Sequence, residues 1–293
     1  MVKLGALLEE IDVSTEYNVN RSRDLRVTTG QEVELSIILP AWNEAPRIGR
    51  TLDQIFIDLP KRNVEILVVD DGSTDTTVEV VKSWQLKHPN RKVRLIEKPH
   101  TGKGGTIVAG IHESTGIFVG LLDADLDIKP SQLWKVFEIA GREELDIVVG
   151  AKQELPWEQR GANPLRRLLS SSFSAMNYIF LRLPVKDTQT GCKVFRGEWI
   201  RSVVSLVKAQ GYLFDVEILG MASHDRLQMK EVAVAIERSD KPNRIGLKSV
   251  LGAAVEWCRV VYYVKSYSSH FKKKKTVIDA GEIGVSTHAS IDA

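Results

Sequence analysis

Between residues 34 and 149 short apolar runs and helix-spaced apolar residues take turns over about 115 residues, and every apolar run ends in polar or turn-forming residues. Such an alternation predicts strand–helix units and a mostly parallel, doubly wound α/β sheet with helices on both faces. The strands are expected at Glu34–Leu39, with Pro40 ending the first, and at Val64–Val69, Val93–Ile96, Ile117–Leu122 and Leu145–Val149. Pro46 suits the first turn of a helix, and Ile48, Leu52, Ile55, Phe56 and Leu59 follow at helical spacing. Gly102-Lys103-Gly104-Gly105 precedes a helical stretch, and Ser131 is placed to cap the helix that carries Leu133, Val136, Phe137 and Ala140. In an open sheet of this kind ligands bind beyond the carboxyl ends of the strands. Here those ends carry Asn43-Glu44, Asp70-Asp71, Lys98 to Lys103 and Asp123 to Asp127, which would share one rim.

The last of these ends is the most chemical. In Leu121-Leu122-Asp123-Ala124-Asp125-Leu126-Asp127 three carboxylates stand at alternate positions after a buried strand. Two Asp one residue apart can turn their oxygens to one hard cation, and Mg²⁺ is commonly held by one or two carboxylates together with substrate phosphates. A polar turn in which an Asp caps the next helix has the same spelling, so the segment alone leaves both readings open. Asp71 can accept a hydrogen bond from a uracil imide or stabilise its own turn. Gly102-Lys103-Gly104-Gly105 lacks the spacing of a phosphate-binding P-loop, but glycines at a helix entrance let a ligand approach the backbone, and Lys103 favours an anion there.

Beyond Gly150 the pattern changes. Residues 165–181 read as a helix with Arg166 and Arg167 near its start, Asp187 to Phe195 as short and extended, Trp199 to Val207 and Phe214 to His224 as helical, and Glu231 to Ile236 as a strand. The expected division is an N-terminal arm over 1–32, a catalytic domain over 33–240, an amphipathic helical segment over 241–270 and a basic, then disordered, tail over 271–293. In the helical segment Val250, Leu251, Ala254, Trp257, Val261 and Val264 recur at helical spacing, and Lys272-Lys273-Lys274-Lys275 follows. That segment either packs on the core or lies on an anionic membrane surface.

Composition closes off other classes. A net charge of +2 over 293 residues gives no support for nucleic-acid binding, and 43% hydrophobic with 27% charged residues is ordinary for a folded chain. Cys192 and Cys258 are the two cysteines, too few for a disulfide framework and without metal-site spacing, which suits a reducing compartment. No secretory signal is visible and no run reaches the roughly 18 apolar residues of a spanning helix. A cytoplasmic protein is therefore expected, with docking on the cytoplasmic membrane face left open. His88, His100, His112 and His224 have no metal-site spacing and read as surface or helix-end residues.

Taken together, Leu35-Ser36-Ile37-Ile38-Leu39-Pro40-Ala41-Trp42-Asn43-Glu44, Val68-Val69-Asp70-Asp71-Gly72-Ser73-Thr74-Asp75 and Asp123-Ala124-Asp125 resemble the family 2 glycosyltransferases of GT-A fold. Asp187-Thr188-Gln189-Thr190-Gly191-Cys192-Lys193-Val194-Phe195 and Gly211-Tyr212-Leu213-Phe214-Asp215-Val216-Glu217 narrow the resemblance to the dolichyl-phosphate glucosyltransferase and polyprenyl-phosphate glycosyltransferase branch. The resemblance covers roughly residues 34–240. It implies that Pro40, Asn43, Glu44 and Asp71 contact the nucleoside of a nucleotide sugar, UDP-glucose first and GDP-mannose second. Asp123 and Asp125, across Ala124, would hold Mg²⁺ or Mn²⁺ against its diphosphate, with Asp127 as a further ligand. Lys103 would lie near the donor rim, and Lys152 with Arg166 or Arg167 would face phosphates. Asp187, Gln189 and Lys193 would build the acceptor side, and Phe214, Asp215 and Glu217 would close the sugar pocket.

The implied reaction is an inverting transfer of a hexose. Negative charge gathers on the leaving diphosphate, where a cation and nearby lysine or arginine stabilise it. Two acceptors stay open. A polyprenyl or dolichyl phosphate arrives ionised and attacks without a base. A hydroxyl of a small molecule or glycan needs a carboxylate, for which Asp215 stands first and Asp187 second. Cys192 has no nucleophilic part in either.

Overall fold

A computed structural model of the chain describes residues 32–59, 62–152, 164–209, 211, 213–236 and 252–267, with the backbone alone for 164–171. Seven strands form a single sheet: β1 (Leu35–Ala41), β2 (Val64–Asp70), β3 (Val93–Glu97), β4 (Phe118–Leu121), β5 (Ile147–Lys152), β6 (Lys193–Arg196) and β7 (Met229–Val234). Their order across the sheet is β3-β2-β1-β4-β6-β5-β7. Helices α1 (Ile48–Asp58), α2 (Thr77–Lys87), α3 (Gly102–Glu113), α4 (Pro130–Arg142), α5 (Pro164–Leu181), α6 (Gly197–Val203) and α7 (Phe214–His224) connect them, and α8 spans 252–267. The expected α/β sheet is thus present and mostly parallel. The exception is β6, which enters between β4 and β5 and runs antiparallel to both.

The sheet is buried on both faces, which is why its strands read as continuous apolar runs. Side chains alternate along β1: Ile37 and Leu39 join the core shared with α1 and α4, whereas Ile38 joins the core shared with α3 and α7. β2 divides likewise, Ile66 and Val68 to the first core and Leu67 and Val69 to the second. Each such side chain contributes about 1.5–3 kcal/mol through removal from water. On α1 the buried positions are Ile48, Thr51, Leu52 and Ile55, the inward stripe of an amphipathic helix.

Several boundaries differ from the sequence expectation. Pro40 does not end β1, which continues to Ala41 with Pro40 opposite Val69. Ile38 O accepts from Leu122 N on the β4 side and Ala41 O accepts from Asp71 N on the β2 side, so Pro40 faces past the end of β4, where a missing N–H costs nothing. The glycines at 102–105 lie inside the first turn of α3 rather than before it. Ser131 does not cap α4: Pro130 occupies the first helical position after Lys129, and the Ser131 N–H is taken by Asp58. The fifth strand starts two residues later than expected and runs to Lys152, in register with β7.

α8 settles one of the open alternatives for the residues that are described. Trp257, Val261 and Val264, with Val260 and Tyr267, are buried in the core beside α7. Trp257 Nε1 donates to Asn177 Oδ1 of α5 at 2.7 Å, and Gly220 of α7 lets Val264 come close. The stripe read as a potential membrane face is therefore spent mainly on packing, although Ala254 stays exposed. Val250, Leu251, the lysine run 272–275, and residues 1–31 of the expected arm lie outside the described residues. Among the described residues no helix is long and apolar enough to cross a membrane.

Candidate active site

Register brings the polar strand ends to one rim. Ala41 lies beside Asp70, Ile38 beside Leu121, and Leu121 beside Lys193. Because β6 is antiparallel, its first residue sits where β4 ends, so the 187–193 segment arrives next to Asp123 although it lies 64 to 70 positions later in the chain.

On the β2 side Asp71 is nearly buried. Its carboxylate accepts N–H groups from Thr101 (2.8 Å) and Gly102 (2.9 Å) at the entrance of α3, and His100 Nδ1 lies 2.9 Å away. Burial alone would raise this carboxyl; the hydrogen bonds from Thr101, Thr106 and Gly102 and the neighbouring His100 outweigh it and hold Asp71 below the ordinary carboxylate range. Those donors take up the roughly four lone-pair sites of the carboxylate, so a nucleoside imide would have to replace one of them, and the exposed His100 is the one at the rim. Asn43, with φ of 55°, uses its side chain on the neighbouring loop: Oδ1 accepts from Thr74 N at 2.8 Å, while its own N–H goes to Ser73. Glu44 N donates to Thr77 and its carboxylate pairs with Arg47. Asn43 and Glu44 thus shape the loop, and Pro40 is a half-buried member of β1 beneath it. The sequence gives Trp42 no role of its own and reads His100 only as a surface or helix-end residue. Their rings lie 5.3 Å apart and Trp42 is 54% exposed beside Asp71, a flat aromatic face at the rim. A large aromatic directly after a strand end was the signal for it. The other three histidines among the described residues are accounted for by structure: His88 stacks on Trp84, His112 meets Ser205 and His224 pairs with Asp225.

At the β4 end Asp123 and Asp125 lie in a tight turn. Asp125 Oδ1 accepts the Asp127 N–H at 3.1 Å, Leu126 adopts φ of 62°, and Ala124 O accepts the Thr51 hydroxyl at 2.6 Å, tying the turn to α1. Asp127 enters this arrangement through its backbone. Among the described residues no three His, Cys, Asp or Glu side chains converge as a metal site, so the three carboxylates do not form a closed cage. What the donor set does fit is a cation held partly by a ligand: Asp123 is 40% exposed, offers hard oxygens, and already carries a cationic group, the Lys103 ammonium, 2.6 Å from Oδ1. Burial opposes the charge on Lys103, but Asp123, helped by Asp215 and Asp125, outweighs it and holds the ammonium above the usual lysine value. The sequence reading placed Lys103 at the donor rim and missed its partner.

On the acceptor side Asp187 braces the segment. Its carboxylate accepts the N–H groups of Lys152 (3.3 Å) and Gln189 (3.1 Å), and its own N–H goes to Glu231. Lys152 and Gln189 are exposed at this edge. Lys193 is 1% exposed; Nζ lies 2.8 Å from Asp215 Oδ1 and donates to Thr190 O. Asp215 sits in the first turn of α7, where a carboxylate also suits the helix dipole. Phe214 is buried in the core rather than lining an open pocket. Glu217, two residues on from Asp215, turns to a different side and accepts the N–H groups of Lys208 and Ala209 (3.0 and 2.7 Å). Burial pushes its carboxyl up despite those bonds. Gly191 lies against Asp123, whose carboxylate a Cβ there would overlap. Burial pushes the Cys192 thiol up to about 12, in keeping with a residue that is no nucleophile. Arg166 and Arg167 lie on α5, with side chains outside the described residues.

Asp123, Lys103, Asp215 and Lys193 therefore form an array of alternating charge across the adjoining ends of β4 and β6. Comparison with known proteins identifies the family and the fold. Residues 36–204 match the family described as Glycosyl transferase family 2. A dolichyl-phosphate beta-glucosyltransferase of Dictyostelium discoideum is 33% identical over 69% of this chain and 66% of its own length. Another, of Trichomonas vaginalis, is 29% identical over 82% of this chain and 74% of its own. Glucosyl-3-phosphoglycerate synthase from Mycobacterium tuberculosis, solved with Mn²⁺, UDP-glucose and glycerol 3-phosphate, superposes with a TM-score of 0.58 at 21% identity, covering 80% of each chain. That likeness fixes the GT-A fold. With the family match spanning β1 to the end of α6 and the rim residues lying inside it, the chain belongs to glycosyl transferase family 2.

Proposed function

We propose that this glycosyltransferase moves glucose from UDP-glucose to a dolichyl or other polyprenyl phosphate, inverting the anomeric carbon. The names of its relatives support the substrates, and the rim supports the chemistry. Asp71 and the aromatic face of Trp42 receive the nucleoside. Asp123 and Asp125 are the residues to hold Mg²⁺ or Mn²⁺, which when bound supplies positive charge against the leaving diphosphate. Lys103 adds a second positive charge to the same side, and Lys152 faces the acceptor's phosphate.

One observation carries the choice of acceptor: Asp215, the first candidate for a base, is committed to buried Lys193. Protonating Asp215 would leave an ammonium buried without its counter-charge, which typically costs about 3–5 kcal/mol. The arrangement favours an acceptor that arrives already ionised, as a phosphate monoester does. Asp215 and Lys193 then serve as a fixed wall of the acceptor site.

The test is transfer of labelled sugar by the purified full chain. With UDP-glucose, label is expected in dolichyl phosphate and not in the matching free alcohol, and Asp123→Asn should lower the rate at least about hundredfold. Label found solely on hydroxyl acceptors, or no lipid product with any UDP- or GDP-sugar, would overturn the assignment.

A further inference from the structure

Lys103 sits on an oxygen that the donor-site reading gives to a metal. Its ammonium is 2.6 Å from Asp123 Oδ1, and a divalent ion would need to stand at roughly 2.1 Å from that carboxylate. Even with the ion on the other carboxylate oxygen, the two cations would stand a few ångströms apart and repel each other in this partly buried site. Lys103 is freer to move than Asp123, whose short side chain has Gly191 against its carboxylate and whose neighbouring carbonyl, that of Ala124, is tied to Thr51. Lys103 is the movable partner. It ends a four-carbon side chain in the first turn of α3, is one-third exposed, and has Asp215 and Asp125 within electrostatic reach.

We propose that Lys103 is an exchangeable counter-ion: it neutralises Asp123 while the donor site is empty, and gives up that place when metal and donor enter together. Metal alone must displace an ammonium that gains no new anion. Metal arriving with a diphosphate displaces the same ammonium onto the diphosphate. Lys103 thereby makes the two bind cooperatively and keeps the empty site from filling with metal. The inference rests on the donor-site reading above.

Mn²⁺ binding to the full chain, followed through the paramagnetic resonance of the free ion with and without UDP, tests it. Lys103→Met should bind Mn²⁺ alone about tenfold more tightly than the wild type, and UDP should raise that affinity by a smaller factor than in the wild type. Lys103→Arg, which keeps the charge, should bind Mn²⁺ alone as weakly as the wild type, and adding Asp123→Asn to Lys103→Met should abolish the gain. Circular dichroism checks the fold, and Lys103→Gln is read identically if the methionine variant does not fold. Unchanged or weaker Mn²⁺ binding in both neutral variants overturns the exchange. Failure of the wild type to bind Mn²⁺ with UDP overturns the donor-site reading instead, and the comparison without UDP judges the exchange by itself.

Discussion

Gly191 shows how one residue ties the two halves of the site together. It lies in the acceptor-side segment, yet the space a Cβ would need is filled by the Asp123 carboxylate. Gly191→Ala must push that carboxylate aside, and since the obstacle is a side-chain end the fold can absorb it. The variant is expected to keep a melting temperature within a few degrees of the wild type while Mn²⁺–UDP affinity falls about tenfold, a displacement worth about 1.4 kcal/mol. Calorimetric titration checks it, and unchanged affinity would detach Gly191 from the donor site. Asp123 and Asp125 stood out in the sequence only beside the other polar strand ends and the resemblance, because their segment alone reads equally as a capped turn. Gly191 did not stand out, since its neighbour lies 68 residues earlier and no local pattern records a close approach. Lys193 was legible as a site residue from the resemblance, but not as a residue 1% exposed. A lysine is rarely buried without a partner, and its partner, Asp215, stands on a helix that the sequence does not place.

At the scale of elements, α7 carries two carboxylates with separate duties. Asp215 pairs with Lys193, whereas Glu217 holds the backbone of 208–209 against the helix. Positions two apart on a helix point to different sides, so Glu217 serves the fold rather than the sugar pocket. Burial places its folded pKa above the unfolded value. Its stabilising contribution is therefore complete below the unfolded value, near 4.5, and is lost as pH rises through the folded one. Glu217→Gln, which does not titrate, mimics the protonated form at the cost of one imperfect hydrogen bond, about 1 kcal/mol. Urea unfolding should show the wild type losing stability relative to Glu217→Gln as pH rises above 4.5, and a pH-independent difference would count against a strained carboxylate. The helices and parallel strands were readable from periodicity because local pattern and tertiary burial agree there. β6 was read only as extended. Its four residues, Lys193-Val194-Phe195-Arg196, carry no signal of direction, and its antiparallel place between β4 and β5 is set by partners distant in the chain.

For the molecule as a whole, the lipid acceptor proposed above would require a surface that meets lipid. α8 spends its apolar stripe on the core, so that surface must be sought elsewhere. α5 and α8 lie side by side, with Phe180 edge-on to Trp257 at 5.4 Å, and their outward residues include Tyr178 and Ile179, each 67% exposed, and Tyr262, 75% exposed. Lys265 lies 5.3 Å from the Phe180 ring. Aromatic and aliphatic groups beside lysine suit the boundary between headgroups and acyl chains, where each apolar side chain gains about 1.5–3 kcal/mol and each lysine about 1 kcal/mol on an anionic leaflet. The full chain is accordingly expected to sediment with vesicles containing phosphatidylserine more than with neutral ones, and less so as salt is raised. Ile179→Glu combined with Tyr262→Glu should lower that binding at least about tenfold, because two apolar insertions are lost and two anions are brought to an anionic surface. Mn²⁺–UDP affinity of the same variant should match the wild type, since neither residue lies at the donor rim. Vesicle binding equal to that of the wild type would move the lipid-facing surface away from α5 and α8. Loss of lipid transfer together with loss of vesicle binding, at unchanged donor affinity, would join this surface to the acceptor side of the reaction.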